Sequence, residues 1–231
     1  SGDRAECDHE LLVVHVDITC GGCDGDDLSV LVEREVLAPL GRDARARDRV
    51  RGGHAEATIV DTEHFYIRED QETYYLIVSA LVPYKRIELA IEAFNQLGLP
   101  LKIAGDGPLK RSLEKKAGPN VEFLGWVEDR DLPDLYARCK ALIFPGEEDF
   151  GIVPLEAHAS GRPVIAYGKG GVLESVIPLN SFDEKRKFDR GPTGIFFTEP
   201  TPRGLIAAVE YFKKEGDAFD SAAIRLHASF F

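Results

Sequence analysis

The stretch ALIFPGEEDFGIVPLEAHASGRPVIAY, residues 141–167, contains two short apolar runs separated by a loop and a helical pattern. The runs at 141–144 and 163–167 are rich in strand-forming residues and predict two buried β-strands. Small and apolar residues at 153–160, followed by Gly161, predict the helix between them. Two strands joined through a helix form a right-handed βαβ unit, so this stretch predicts a parallel sheet.

The same alternation of strands and helices continues in both directions along the chain. Four more strands are predicted, at 74–79, 101–104, 121–124 and 194–197. Further helices are predicted within 85–97, 109–117, 131–138, 171–177 and 202–214. Six parallel strands covered by helices on both faces make an α/β fold, a doubly wound parallel sheet of the Rossmann-like kind. Such a sheet binds ligands at the carboxyl ends of its strands.

The distribution of aromatic residues and lysines divides the 231-residue chain in two. No aromatic residue precedes Phe65 and no lysine precedes Lys85, so the first part has little with which to build a core. We predict a truncated or atypical N-terminal segment at 1–60 and a Rossmann-like domain at 61–231. Further predictions are a strand at 11–18, a helix at 28–37, a surface helix or disordered linker at 42–53, and a solvated insertion loop at 181–190.

Charge and hydropathy exclude several classes of protein. The formal net charge of −12 disfavours nucleic-acid binding, which needs clustered Lys and Arg against the phosphate backbone. The sequence contains no run of about 18 apolar residues, so we expect no transmembrane helix. We predict a cytoplasmic location, with peripheral attachment at the inner membrane as the alternative.

Cys20 and Cys23 have the spacing of a redox pair or of half a zinc site. The sequence has no second such pair, and Cys7, His9 and His15 would complete a ligand set whose spacing matches no standard module. We therefore expect no metal, and a zinc or redox site at these cysteines stays open as the alternative.

The densest functional signal is PGEEDFGIVPLEA, residues 145–157, which follows a predicted strand and opens a predicted helix. Glu148 and Glu156 would face a ligand over this loop, where carboxylates accept hydrogen bonds from hydroxyl groups such as those of a sugar. The amides of Phe150–Ile152 lie at the helix N-terminus, which attracts phosphate. The alternatives are a solvated loop acid for Glu148 and a helix-surface acid for Glu156.

Two cations and two glycine-rich turns lie after other predicted strands. Lys85 stands at the predicted start of a helix, where its charge opposes the helix dipole, so it indicates an anionic ligand. Arg86 is either a second cation of that site or a solvated side chain. A tight turn is the favoured interpretation of Gly105–Gly107, and the turn at 168–171 does not fit the P-loop spacing.

Two single residues, Trp126 and His158, each allow two interpretations. Trp126 ends a predicted strand and is interpreted as a core residue, with base stacking as the alternative. His158 lies among small residues on a predicted helix, which favours a packed or surface histidine over a ligand.

Taken together, these motifs resemble the C-terminal, donor-binding half of a GT-B fold retaining glycosyltransferase of family four, a family that includes mannosyltransferases. The resemblance runs from about Thr58 to Ala228. It rests on segments in the family's order and spacing, at 78–86, 105–108, 121–125, 148–156, 163–166 and 170–174.

The resemblance implies a nucleotide-sugar donor, with GDP-mannose expected, a glycan or lipid-linked acceptor, and no metal or other cofactor. It implies that Glu148 and Lys85 are the catalytic residues, contacting the donor sugar and the diphosphate, and that Glu156 contacts the ribose. The donor-binding residues that it implies are Arg86, Gly105, Asp106, Gly107, Trp126, Val127, Phe150, Gly151, Ile152 and Glu156.

The sequence departs from the family pattern at two places. Ala80 stands where much of the family has Arg, and we expect Arg86 to substitute for that charge. Only about 60 residues precede the matching half, where GT-B enzymes carry an acceptor-binding domain. The alternative to an active transferase is therefore a non-catalytic nucleotide-sugar-binding module, or a truncated relic, that needs a separate acceptor domain.

Overall fold

The computed structural model describes residues 60–149, 151–179 and 191–231, which belong to one compact unit, Thr58–Phe231. Its centre is a six-stranded parallel sheet with the strand order β3-β2-β1-β4-β5-β6. The strands are β1 (Tyr75–Val78), β2 (Leu101–Ala104), β3 (Val121–Gly125), β4 (Leu142–Phe144), β5 (Val164–Tyr167) and β6 (Gly194–Phe197).

Helices cover both faces of this sheet. Within the described ranges they are α1 (Ile87–Leu97), α2 (Lys110–Glu114), α3 (Leu132–Arg138), α4 (Ile152–Ala159), α5 (Val172–Ser175), α6 (Pro202–Glu215) and α7 (Ser221–Ala228). One hydrophobic cluster joins Tyr75 and Ile77 to α1, α2 and α6, and the other joins Leu76 to α3, α4, α5 and α7. Successive side chains of β1 thus alternate between the two clusters, as expected of a strand buried on both faces.

The doubly wound parallel sheet that the sequence predicts is confirmed. Each predicted strand and helix of the described residues is present, with ends that shift by up to three residues. The sequence did not predict α7, because its eight residues offer only Ile224 and Leu226 as large apolar side chains. None of the helices in the described ranges is long and apolar enough to cross a membrane.

Several predictions lie outside the described residues. They are the elements at 11–18, 28–37 and 42–53, the cysteines Cys20 and Cys23, and the insertion loop at 181–190. The division of the chain at residue 60 stays a prediction.

The strand order reverses between β1 and β4. In an open parallel sheet this reversal leaves a crevice at the carboxyl ends of the two strands, because their outgoing connections run to opposite faces. The loop at 79–86 leaves β1 and the loop at 145–151 leaves β4, so these two loops flank the crevice.

Candidate functional site

An ion pair bridges the crevice between β1 and β4. Lys85 ends a single turn of 3₁₀ helix, Pro83–Lys85, that follows β1, and Glu148 lies in the loop that follows β4. Lys85 Nζ lies 2.6 Å from Glu148 Oε1, and the two side chains keep 15% and 19% of their surface exposed. The two predicted catalytic residues are therefore brought into direct contact, and each retains access to the crevice.

The loop after β5 fixes the backbone of Glu148. Gly170 has a φ of 75°, and a Cβ at this position would lie 2.3 Å from the carbonyl oxygen of Glu148. The N–H of Gly171 donates to that same oxygen at 2.7 Å. Only glycine allows this approach, so the turn at 168–171, which does not fit a P-loop, serves to position Glu148.

The N-terminus of α4 faces the same loop. Gly151 is the N-cap residue, and no side-chain hydrogen bond caps the helix. The first amides of α4 therefore keep hydrogen-bonding capacity for an anion, which the helix dipole also favours. Phe150, whose amide belongs to the predicted anion site, lies outside the described residues.

Arg86 adopts an unusual backbone conformation next to the ion pair. Its φ of 52° and ψ of 34° lie in the left-handed region, and it is the one non-glycine residue with positive φ in the described part of the chain. Its guanidinium carbon lies 4.8 Å from the centre of the Tyr167 ring, and Lys169 Nζ lies 6.0 Å from the same centre. Nη1 of Arg86 is buried and has no hydrogen-bond partner among the described residues.

This orphaned nitrogen sets Arg86 apart from Lys85. Lys85 forms an ion pair with Glu148, whereas neither Arg86 nor Lys169 forms an ion pair with a carboxylate of the described residues. A buried donor without a partner is costly, so an anionic ligand that reached it would gain a strong hydrogen bond. Of the two interpretations that the sequence left open, this geometry favours a site cation over a solvated side chain.

Glu156 lies on α4 and is only 6% exposed, so the interpretation as a helix-surface acid is wrong. The hydroxyl of Tyr136, a fully buried residue of α3, donates to Glu156 Oε2 at 2.8 Å. One oxygen of the carboxylate thus has a buried donor on the neighbouring helix. Sequence reasoning missed the partner, because Tyr136 lies on a different helix, 20 positions away in the chain.

The segment Gly105–Gly107 lies in the loop after β2 and packs closely against the loop after β1. Gly105 has a φ of 134°, and a Cβ there would lie 1.9 Å from the carbonyl oxygen of Ser79. Asp106 accepts hydrogen bonds from Lys110 Nζ at 2.8 Å and from the Gly107 N–H at 2.7 Å. The bond from Lys110, and then that from Gly107, lower the pKa of Asp106. The turn itself lies slightly later than predicted, at 107–110, where the Lys110 N–H donates to the Gly107 carbonyl oxygen at 3.1 Å. The binding role of Gly105–Gly107 stays a prediction.

Trp126 follows β3 and is 46% exposed, so its interpretation as a core residue is wrong. Gly125, with a φ of 70°, turns the chain at the end of the strand, and Val127 then packs against the edge of one hydrophobic cluster. The large ring is left at the surface, at the carboxyl end of the outermost strand. Such a ring is free to stack on a planar ligand, which was the alternative interpretation.

His158 is a fully buried histidine of α4, as one of its two predicted placements has it. Its Nε2 lies 3.1 Å from the carbonyl oxygen of Thr193, and its ring packs against His227. Burial, with a smaller contribution from His227, lowers the pKa of His158 to about 3, so the ring is neutral. Within the described ranges, no group of three or more His, Cys, Asp and Glu residues could hold a metal ion.

Comparison with known proteins identifies a matching family and several relatives. Residues 61–223 match the family described as Glycosyl transferases group 1. The chain is 29% identical over 143 residues to the O-antigen chain mannosyltransferase C of Escherichia coli, covering 58% of this chain and 36% of the relative. It is 35% identical over 116 residues to a GDP-mannose-dependent monoacylated alpha-(1-6)-phosphatidylinositol monomannoside mannosyltransferase of Corynebacterium glutamicum, covering 43% and 30%.

A solved structure shares the fold. HepE of Anabaena, determined in complex with UDP and glucose, aligns with a TM-score of 0.58 and 20% identity, covering 74% of this chain and 49% of that one. At this identity the likeness establishes the fold alone. The chain spans about a third of the length of the curated relatives that it matches first.

Proposed function

Because the chain belongs to the glycosyl transferases group 1 family, we propose that residues 61–231 bind a nucleotide-diphosphate sugar for retaining transfer of its hexosyl group. GDP-mannose is the proposed donor, and a glycan or a lipid-linked sugar is the proposed acceptor. The observation that carries this proposal is the contact between Lys85 and Glu148 across the crevice, beside the uncapped N-terminus of α4.

The order of the strands suggests how the donor lies. Trp126 follows β3, Asp106 follows β2, Lys85 follows β1 and Glu148 follows β4, and these strands are neighbours in the sheet. Apart from Asp106, whose carboxylate is paired with Lys110, the groups along the carboxyl edge are thus an aromatic ring, a cation and a carboxylate, in that order. A nucleotide sugar presents a base, a diphosphate and a hydroxylated ring in that same sequence, so each part meets a group that suits it.

The proposed chemistry needs charge stabilisation and positioning more than acid–base catalysis. The bond between the anomeric carbon and the diphosphate oxygen breaks, and its electron pair stays on the diphosphate. Lys85, Arg86 and the amides at Gly151 and Ile152 would stabilise the charge that develops there. The acceptor hydroxyl then bonds to the same face of the carbon and gives its proton to the departing diphosphate, while Glu148 holds the sugar hydroxyls in place.

The choice of GDP-mannose rests on the relatives and not on the geometry. One relative carries the name of a GDP-mannose-dependent enzyme, whereas the structural neighbour holds UDP and glucose. An exposed Trp126 ring can stack on either base, because every nucleobase has a π-face. The donor must therefore be tested against both nucleotides.

Calorimetric titration of the full chain with GDP-mannose, UDP-glucose, GDP and UDP tests the donor site. We expect binding of GDP-mannose and GDP, weakened about tenfold or more in Lys85→Ala because a charge-assisted hydrogen bond is lost. Lys116→Ala is the matched control, since Lys116 pairs with Glu88 away from the crevice. If the wild-type chain bound none of the four ligands, the proposed function would be wrong.

A transfer assay distinguishes an active enzyme from a donor-binding module. The chain is incubated with radiolabelled GDP-mannose and with glycan or lipid-linked acceptors, and labelled product is measured. Product formation supports transfer by this chain. Binding of GDP-mannose without hydrolysis and without labelled product supports the alternative, a module that needs a separate acceptor domain.

A further inference from the structure

We propose that Tyr136 is a positioning residue that orients the carboxylate of Glu156 for the ribose of the donor. This inference rests on the proposed function, because it assigns a partner to one residue of the same site. Neither the sequence motifs nor the family resemblance points to Tyr136, and the assignment comes from its contacts.

The hydrogen bond between these residues is buried and direct. Tyr136 is fully buried on α3, Glu156 is nearly so on α4, and the hydroxyl lies 2.8 Å from Oε2. A buried carboxylate oxygen without a donor would be strongly destabilising, so this bond is retained in the folded protein. Because α3 and α4 pack against each other, the bond also joins two elements of the same layer.

The Tyr136 ring is itself held in place. Phe65 packs edge-on against it, with ring centres 5.7 Å apart and planes at 76°. The carbonyl oxygen of Phe65 accepts a hydrogen bond from Arg225 Nη1 at 2.6 Å, and the same guanidinium bonds the carbonyl oxygens of Thr62 and Ala159. Arg225 of α7 thus links the segment before β1, which contains Phe65, to the end of α4.

This arrangement makes Tyr136 a rigid donor. A phenol hydroxyl lies in the plane of its ring, so a ring that cannot turn fixes the direction of the O–H bond. That direction in turn favours one orientation of the Glu156 carboxylate, whose Oε2 accepts the bond. A carboxylate oriented before the ligand arrives loses less conformational entropy on binding, which appears as affinity.

The test is a titration with nucleotides that contain or lack the ribose hydroxyls. GDP and UDP are each compared with their 2′,3′-dideoxy counterparts, in wild type and in Tyr136→Phe. We expect Tyr136→Phe to weaken binding of the parent nucleotide about tenfold and to leave binding of the dideoxy nucleotide within about twofold. In a Glu156→Ala background the further effect of Tyr136→Phe is expected to vanish, since the carboxylate that Tyr136 orients is then absent.

The matched control is Tyr74→Phe. Tyr74 is also buried, and its hydroxyl also donates to α3, but at 2.8 Å to the carbonyl oxygen of Leu135 and not to a carboxylate of the site. Tyr74→Phe should cost similar stability in urea denaturation and leave all nucleotide affinities unchanged. Phe65→Leu is a second variant that keeps the Tyr136 hydroxyl and loosens the ring, and a two- to threefold loss for the parent nucleotide alone is expected.

The outcomes separate this inference from the proposed function. If wild type binds neither GDP nor UDP, the donor site itself is wrong. If wild type binds and Tyr136→Phe binds equally well, the donor site stands and the role of Tyr136 is overturned. An equal loss for parent and dideoxy nucleotides also overturns it, because a merely structural role would not depend on the ribose hydroxyls. Should Tyr136→Phe fail to fold, Phe65→Leu decides by the same comparison.

Discussion

We expect Glu148→Gln to bind GDP more tightly than wild type does. The ratio of the affinity for GDP-mannose to the affinity for GDP should fall. The carboxylate of Glu148 lies 2.6 Å from Lys85 Nζ, so it neutralises the cation nearest to the crevice. The amide of glutamine has almost the same shape and no charge. The substitution therefore frees the charge of Lys85 for the diphosphate and removes a repulsive negative charge, without opening a cavity.

The magnitude follows from the exposure and the distances of these side chains. Both are partly exposed, at 15% and 19%, so an effective dielectric constant of about 20 applies. Two unit charges about 4 Å apart then interact by about 4 kcal/mol, and solvent and salt screening reduce the net effect. We expect about 1.4 kcal/mol for GDP, which is a tenfold gain in affinity. For GDP-mannose, lost hydrogen bonds to the sugar hydroxyls offset this gain.

Calorimetric titration at about 0.05 M and 0.5 M salt checks both parts of the prediction. The gain for GDP should shrink at high salt, because screening weakens the repulsion that Glu148→Gln removes. Glu147→Gln is the matched control, since Glu147 precedes Glu148 in the same loop, is exposed, and forms no ion pair in the described part of the chain. Weaker GDP binding in Glu148→Gln would refute the electrostatic reasoning, and so would an equal gain in the control.

Three further changes are expected to have measurable effects. Gly170→Ala presses a Cβ against the Glu148 carbonyl oxygen and should weaken GDP-mannose binding at least several-fold by calorimetry, whereas Gly216→Ala meets nothing within 4 Å and should not. Trp126 is the one tryptophan of the chain, so its fluorescence should change on addition of GDP, and an unchanged spectrum would contradict stacking. His158 has a pKa lowered to about 3, so only its unfolded form takes up a proton as the pH falls below 6.5. Wild type should thus lose about 2 kcal/mol of unfolding free energy between pH 6.5 and 4.5 in urea titrations, and His158→Gln should not lose this contribution.

The sheet could be predicted because its strands are nearly all apolar and are separated by helical patterns. A parallel strand buried on both faces needs no alternation, so runs such as Leu142–Phe144 suffice to locate it. The reversal between β1 and β4 could not be read directly, because strand order depends on which face each helix covers. Helix α7 was not predicted for a related reason. Its few apolar residues form a buried face only because the helix packs on α4.

The candidate site was predictable where one loop carries the chemistry, and not where partners come from elsewhere. The spacing of Glu148 and Glu156 marked both residues, but it said nothing of the burial of Glu156. It said nothing either of the hydrogen-bond donor Tyr136, which is 20 positions away in the chain and lies on a different helix. Trp126 was misassigned because large apolar residues at strand ends are usually core, and only the turn at Gly125 brings this one to the surface.

In a chain with a net charge of −12, the proposed diphosphate would have to be attracted by local positive charge. Since Glu148 offsets Lys85, the local positive field depends on Arg86 and on the amides of α4. A left-handed backbone at a non-glycine residue costs about 1–2 kcal/mol, and stacking of the guanidinium on Tyr167 returns a comparable amount. The strain at Arg86 is thus tolerated where it places an unpaired cation beside the crevice, at a site where Ala80 offers no charge. For the proposed diphosphate, we therefore expect the unpaired Arg86 to contribute more charge stabilisation than Lys85, which is already paired with Glu148.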